Sequence, residues 1–346
     1  MKTTAVSVSR LPMTSGFGYA RVRDFVTLMK PRVMLLTVFT AVVGLLIAPG
    51  AIDPQRGILS IVAIAAGAGA AAVLNMWYDA DIDAVMARTA RRPIPSGRVS
   101  RVEALALGLM LACGAVVALA AAANVQAAAV LAFAIFFYVV VYTMWLKRRT
   151  PQNIVIGGAA GALPPMIGWA AAVGHLGLEP LILFLIVFLW TPPHFWALAL
   201  DRADEYARAG VPMLPVVAGK AATKNQILVY SAVLAPISLL PWALGFAGPF
   251  FGATAVVLGL SLVVLAVQLH RRLEDDRQTA QRLFAFSICH LFLLFAALLL
   301  DHRSDPSSAA LAARSPGPVV AAMPAALPPH SVDAAGNSSS RSAHEV

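Results

Sequence analysis

The sequence predicts an all-α membrane protein with nine transmembrane helices in one bundle around a central cavity. Three observations predict it. The 346-residue chain is 59% apolar and only 12% charged, where ordinary soluble domains carry about 25% charged residues. Nine apolar stretches follow one another, each near the roughly 20 residues that cross a hydrocarbon core. The basic residues fall in alternate loops. The formal net charge of +9 is therefore a matter of membrane topology, and nucleic acid is not an expected partner.

The elements run as follows. Residues 1–23 are a polar arm without the apolar run of a signal peptide. The spans are 33–49, 58–77, 102–122, 126–146, 153–173, 179–199, 227–246, 249–269 and 283–301. The arm and the loops after spans two, four, six and eight carry 22 Lys and Arg, and the alternate loops carry Arg56 alone. The basic side is cytoplasmic, which puts the N-terminus inside and the C-terminus outside. Residues 24–301 form one intramembrane domain. Residues 302–346, rich in Ala, Pro and Ser, read as a disordered tail. Cys113 and Cys289 fall in apolar spans and read as packing residues rather than a disulfide framework.

The unusual chemistry lies on the basic side. Asn75, Asp79 and Asp83 recur every four residues at the inner end of span two. On a helix they share one stripe about 12 Å long, and Asp81 points away from it. An Asn and two carboxylates offer hard oxygen ligands, and Mg²⁺ takes one or two carboxylates together with phosphate oxygens. Arg88, Arg91, Arg92 and Arg98 follow at once, so the stretch suits a diphosphate. A helix-ending group of interfacial polar residues is the plainer reading for any one of them. Three on one stripe beside an Arg cluster favour function, because near-membrane carboxylates are costly.

A second acidic group, Asp201, Asp204 and Glu205 with Tyr206 and Arg208, follows span six. Thr191-Pro192-Pro193 is expected to interrupt that span. His194 beside it has two readings, a hydrogen-bonded structural group or a ligand for heme iron. Lys30-Pro31-Arg32 opens span one and Lys147-Arg148-Arg149 closes span four; both are ordinary cytoplasmic anchors unless they face an anion. Gly157, Gly158 and Gly161 with Pro164-Pro165 fit close helix packing in span five, or a kinked cavity wall.

At these residues the chain resembles the UbiA-type intramembrane prenyltransferase superfamily, within it the heme-modifying branch. The segments that carry the resemblance are NMWYDADIDAVMARTARRPIPSGRVS, KRRTPQNIVIGGAAGALPPMIGW, TPPHFWALAL, EYARAGVPMLPVVAGK, TKNQILVYS and DDRQTAQRLFAFSI, across about residues 24–301. The resemblance implies transfer of a farnesyl group from farnesyl diphosphate to heme b. Mg²⁺ is the implied cofactor, with Asn75, Asp79, Asp83, Asp204 and Glu205 as its ligands. Asn75, Asp79, Asp83, Arg88, Arg91, Arg92 and Glu205 are the implied transfer residues. His194, Asp204, Tyr206, Arg208, Lys147 and Arg148 are the implied heme contacts. Met76 stands where many members of the superfamily have a further Asp, so that ligand is absent. The implied setting is the bacterial inner membrane, and heme A synthase or terminal-oxidase assembly machinery are candidate partners. Three other readings remain open: prenylation of a quinone precursor such as 4-hydroxybenzoate, secondary transport, and heme delivery without catalysis.

Overall fold

The computed structural model describes residues 19–50, 52–272 and 277–304, and all its regular structure among these is helical. Most of the arm (1–18) and of the tail (305–346) lies outside the described residues. The helices are α1 Tyr19–Leu28, α2 Pro31–Ile47, α3 Pro54–Tyr78, α4 Ala80–Val85, α5 Arg101–Ala122 and α6 Val125–Phe136. Then come α7 Asn153–Ala162, α8 Pro164–Val173, α9 Leu178–Asp201, α10 Ala203–Arg208 and α11 Leu214–Val217. The last four are α12 Gly219–Ile237, α13 Leu240–Ala243, α14 Pro249–Arg271 and α15 Arg277–Ser304. Among the described residues, eight stretches are singly long and apolar enough to cross a membrane, and α1 with α2, bent by 49°, makes a ninth if the pair is one span. The seventh span begins at Gly219 rather than at 227, so Lys220 and Lys224 belong to its first turns.

Local sequence sets these boundaries. Asp53 accepts hydrogen bonds from the Gln55 and Arg56 amides at 3.0 and 3.1 Å, ahead of Pro54 at the first position of α3. Ser100 and Glu103 form a reciprocal capping box on α5. Asn124 caps α6 through the Ala127 amide and donates to the Ala170 carbonyl at 2.8 Å, which ties α6 to α8.

Small residues set the closest crossing. A Cβ at Gly44 would stand 2.2 Å from the Pro165 carbonyl oxygen, and one at Gly168 would stand 2.0 Å from that of Ala41. The backbones of α2 and α8 meet only because neither residue has a side chain. One core joins α2 and α8 to α9, α12, α14 and α15 around Val43, Trp169, Ile186, Phe251 and Phe295. Another joins α2 and α8 to α3, α5 and α6 around Ile64, Leu119, Leu131 and Ile167.

Two expectations need correction. The Pro pair does not interrupt span six, since α9 runs unbroken from Leu178 to Asp201 with Pro192 and Pro193 inside it. Both prolines are buried between packed helices, and neighbours hold a membrane helix that lacks ladder bonds. Cys113 and Cys289 are exposed rather than packed. A cavity of about 510 Å³ opens at the end of the bundle opposite the polar cluster, beside Ile47, Trp169, Phe246, Glu179 and Asp301. None of the candidate site residues lines it.

Candidate active site

The site is built where α3 ends. The helix stops at Tyr78 because Asp79 takes φ −83° and ψ 11°, and α4 resumes at Ala80. The ladder continues across the joint, with the Asp79 amide on the Asn75 carbonyl at 2.9 Å and the Asp83 amide on the Asp79 carbonyl at 2.8 Å. The four-residue stripe therefore survives the break. Asn75, Asp79 and Asp83 are 5%, 1% and 4% exposed, and burial of that depth requires partners. Met76 faces away, into an apolar cluster with Leu28, Val73, Ile94 and Val99.

Asn75 organises the row. Its Nδ2 donates to Asp79 Oδ2 at 2.8 Å and to Thr143 Oγ1 at 3.1 Å, and its Oδ1 accepts from Lys30 Nζ at 2.9 Å. The opposite amide orientation would set oxygen against the Asp79 carboxylate, so the network fixes the assignment. Asp79 Oδ2 also pairs with Lys147, and Arg148 lies 3.5 Å from Asp79 Oδ1. That Oδ1 is buried and accepts no hydrogen bond. Arg148 spends its donors on Asp81, at 2.8 Å from each guanidinium nitrogen, and its guanidinium lies over the Tyr78 ring. The Arg148 hydrogen bonds hold the Asp81 carboxyl well below its ordinary value, at about 2.

Span four reaches the row through an irregular helix. After α6 the chain continues as a π-helix over Phe137–Trp145 and one 3₁₀ turn over Leu146–Arg148. Thr143 Oγ1 donates to the Tyr138 carbonyl at 2.8 Å and so accepts from Asn75. Tyr138 and Tyr142 sit with ring centroids 5.3 Å apart. Tyr142 has room because residue 157 is glycine, where a Cβ would lie 2.2 Å from the ring. The wide turn aims Thr143 and Lys147 at one neighbour pair, and π-segments recur at functional sites for that reason.

Lys30 arrives from between α1 and α2. It has φ 52°, and among the described residues it is the one non-glycine with positive φ. A left-handed conformation costs an L-residue about 1–2 kcal/mol. Here it turns the ammonium onto Asn75 before Pro31 starts α2.

The Arg cluster divides. Arg92 Nη1 donates to Asp83 Oδ2 at 2.6 Å. Arg98 pairs with Asp24 at 3.0 Å and pins the loop to α1. Arg91 is exposed. Arg88 is exposed and feels the charges of both segments. Desolvation first, with the Arg92 and Arg202 charges, holds it below its usual value, while Tyr206 and Glu205 pull it up.

The second segment is only partly turned inward. In α10, Asp204 and Arg208 are exposed, while Glu205 and Tyr206 are half-buried. Glu205 Oε2 and Arg202 Nε are buried with no hydrogen-bond partner. Asp201 instead faces the start of α15, with Gln281 Nε2 at 3.4 Å and Arg277 at 3.8 Å. Among the described residues, no three His, Cys, Asp or Glu side chains converge to cage a metal. His194 lies two turns before Asp201, 8% exposed, stacked between Trp190 and Phe284.

The sequence reading picked out Asn75, Asp79, Asp83, Arg92, Lys147 and Arg148, and the fold brings them together. It read Lys30 as an anchor unless it faces an anion, and did not single out Thr143, Tyr138 or Tyr142. The aromatic pair at i, i+4, one turn before the basic triplet, is the signal that could have found the tyrosines.

The site can hold an anion among cations while its carboxylates take up a divalent ion. Residues 37–293 match the UbiA prenyltransferase family. Over 280 residues, 80% of this chain and 89% of the relative, it is 58% identical to Protoheme IX farnesyltransferase 2 of Mesorhizobium japonicum. It is 59% identical over 286 residues, 82% and 93%, to Protoheme IX farnesyltransferase of Azorhizobium caulinodans. Among solved structures, a digeranylgeranylglyceryl phosphate synthase superposes with TM-score 0.68 at 19% identity, over 82% of this chain and 99% of that one. A UbiA homolog from Archaeoglobus fulgidus, bound to DMAPP and Mg²⁺, superposes with TM-score 0.62 at 17% identity, over 79% and 99%.

Proposed function

The chain belongs to the UbiA prenyltransferase family, and from that premise we propose that it transfers a farnesyl group from farnesyl diphosphate to a vinyl group of heme b, with addition of water. The identity with curated farnesyltransferases over four fifths of the chain supports this acceptor. The observation that carries the chemistry is Asp79, 1% exposed, with one oxygen held by Asn75 and Lys147 and the other without a hydrogen bond.

That spare oxygen fits a divalent cation. Asp79 and Asp83, with Asn75 beside them, would hold Mg²⁺, and phosphate oxygens would complete its shell, so no three-carboxylate cage is needed. Glu205, with its unpartnered oxygen, is the inward candidate from the second segment, whereas Asp204 faces out. When bound, Mg²⁺ supplies positive charge to the leaving diphosphate.

The protein's own groups do the rest. Lys30, Lys147, Arg92 and Arg88 stand ready to neutralise the diphosphate as the bond from farnesyl C1 to oxygen breaks and the electron pair leaves with the phosphate. Charge stabilisation aimed at a developing anion is the largest lever such a site has. Tyr138 and Tyr142, a ring pair on the segment that carries Thr143, would offer aromatic faces to the allylic cation. The π electrons of the heme vinyl form the new bond to C1. The resulting cation beside the pyrrole takes water and loses a proton, which leaves a hydroxyl.

The protein is multi-pass in the membrane. Its bias of basic residues supports an orientation with this face and the N-terminus in the cytoplasm, and its bacterial relatives support an inner-membrane location. The product is a lipophilic heme suited to a heme-oxidising enzyme such as heme A synthase, or to terminal-oxidase assembly machinery. The test supplies heme b, farnesyl diphosphate and Mg²⁺ to membranes containing the chain and reads extracted hemes by mass spectrometry. A Mg²⁺-dependent heme carrying one farnesyl group plus water is expected. Unmodified heme, with prenylated 4-hydroxybenzoate in a parallel reaction, would overturn the assignment.

A further inference from the structure

We infer that Thr143 is a positioning residue for the first acidic segment. Its hydroxyl sets the register between spans two and four, and so turns Asn75 to Asp79 and brings Lys147 onto the same carboxylate. The inference rests on Asp79 holding the divalent ion beside the diphosphate, as proposed above.

The hydrogen-bond roles leave one arrangement. The Lys30 ammonium only donates, and it meets Asn75 Oδ1 at 2.9 Å. Asn75 Nδ2 also only donates, to Asp79 Oδ2 at 2.8 Å and to Thr143 Oγ1 at 3.1 Å. The Thr143 hydroxyl therefore accepts from Asn75. Its own proton goes to the Tyr138 carbonyl, 2.8 Å away, which can only accept. Thr143 is wholly buried and Asn75 is 5% exposed, so bulk water replaces neither partner.

The hydroxyl takes this direction because the helix is wide. Thr27, Thr191 and Thr223 bond to carbonyls four residues back, as hydroxyls on α-helices do. Thr143 bonds five back, to the carbonyl that a π-turn offers. A threonine that only completed the core would close on its own helix, as Thr191 does. The Thr143 oxygen instead faces α3 with a lone pair for Asn75.

Two contacts then share one register. Spans two and four are separated by a single span, so they run in the same direction. Thr143 meets Asn75 and Lys147 meets Asp79, and both pairs are 68 residues apart in sequence. The four-residue step on α3 is matched by a four-residue step on span four. A slip of one residue would turn a helix face by about 100° and move it about 1.5 Å along the axis. Lys147, on a long side chain in the 3₁₀ turn that ends the span, can follow such a slip. The short, buried Thr143 cannot. With Asn75 and Lys147 both on Oδ2, Asp79 Oδ1 is left without a hydrogen bond, and that is the oxygen assigned to the divalent ion. Thr143 thus acts on the ion only through its neighbours.

The test follows Mn²⁺, a paramagnetic substitute for Mg²⁺, by paramagnetic resonance in full-length protein in nanodiscs with farnesyl diphosphate present. Thr143→Val keeps the shape and removes the acceptor, and Thr143→Ala removes it without the bulk. Both should weaken Mn²⁺ uptake about tenfold, the size expected for a partner one bond behind a metal ligand. Thr143→Ser should stay close to wild type. In turnover kcat should fall with Mn²⁺ affinity, while KM for heme b stays unmoved. In an Asn75→Ala background, Thr143→Val should lower kcat by no more than about threefold further, because residues acting as a unit are non-additive. Normal Mn²⁺ uptake by both Thr143→Val and Thr143→Ala, or a full multiplication with Asn75→Ala, would overturn the inference. Farnesyl heme formed by wild type in the same samples would then leave the proposed function standing. Mn²⁺ uptake that depends on Thr143, in a wild type forming no farnesyl heme, would do the reverse.

Discussion

The two acidic segments at the cytoplasmic end look alike in composition and differ in how far they are assembled. In the first, Asn75, Asp79 and Asp83 are nearly inaccessible, and Lys30, Lys147, Arg92 and Thr143 meet their polar atoms. In the second, α10 is a six-residue helix whose Asp204 and Arg208 face out, while Glu205 Oε2 and Arg202 Nε are buried without hydrogen bonds. Burying a carboxylate costs several kcal/mol unless cations and donors surround it. The first segment has met that cost within the protein, apart from one oxygen of Asp79. The second has not, and on the proposed function a bound diphosphate with its Mg²⁺ would complete it. On that reading the preorganised group would stabilise the leaving charge, and the looser one would be finished by the ligand.

The largest effect should come from the first segment. Asp79→Asn should lower kcat by about 10²–10³-fold and flatten the Mg²⁺ dependence, read by steady-state farnesyl transfer. A wild-type rate with normal metal response would remove Asp79 from the mechanism. Glu205→Gln should cost less, about tenfold, mostly as a higher Mg²⁺ requirement, and Asp204→Asn should stay within about twofold. A larger loss at Asp204 than at Glu205 would invert the reading of α10.

Gly157→Ala sharpens the comparison from behind the first segment. Its new Cβ would stand 2.2 Å from Tyr142, so the ring must move. Overpacking of this kind costs about 1–3 kcal/mol, seen as a lower apparent Tm together with a reduced kcat. Unchanged values of both would show that the π-helix yields freely.

The smallest effect concerns Asp81, which is off the stripe. Its carboxyl is lowered from 3.8 to about 2 by Arg148. The folded-state value lies below the unfolded one, so the pair's contribution is present above about pH 4 and fades as pH falls toward 2. The Asp81 side chain is 58% exposed, and solvent screening keeps the contribution below about 1 kcal/mol. Asp81→Asn should therefore barely move the apparent Tm at pH 7 and should remove its slope between pH 4 and 2. Loss of activity comparable with Asp79→Asn would place Asp81 in the site.

Much of this was legible in the sequence, because hydropathy, loop charge and a four-residue repeat are local signals. The nine spans and the row Asn75, Asp79, Asp83 follow from them, and so does the proximity of Arg92. What escaped depends on tertiary contacts. Lys30 reads as an anchor until its left-handed backbone carries it onto Asn75. The π-helix at Phe137–Trp145 has no composition of its own, and only its bonds to Tyr138 and Asn75 reveal what it aims. Pro192-Pro193 reads as a break, yet packing carries α9 through it.

The central claim is that both acidic segments act on one diphosphate, and a double-mutant cycle tests it most directly. Farnesyl transfer would be compared for wild type, Asp79→Asn, Glu205→Gln and the double variant at saturating Mg²⁺. If the segments grip one leaving group, the double variant should be slower than Asp79→Asn alone by no more than about threefold, since residues acting as a unit are non-additive. Losses that multiply in full would contradict the account and assign the two segments to separate tasks.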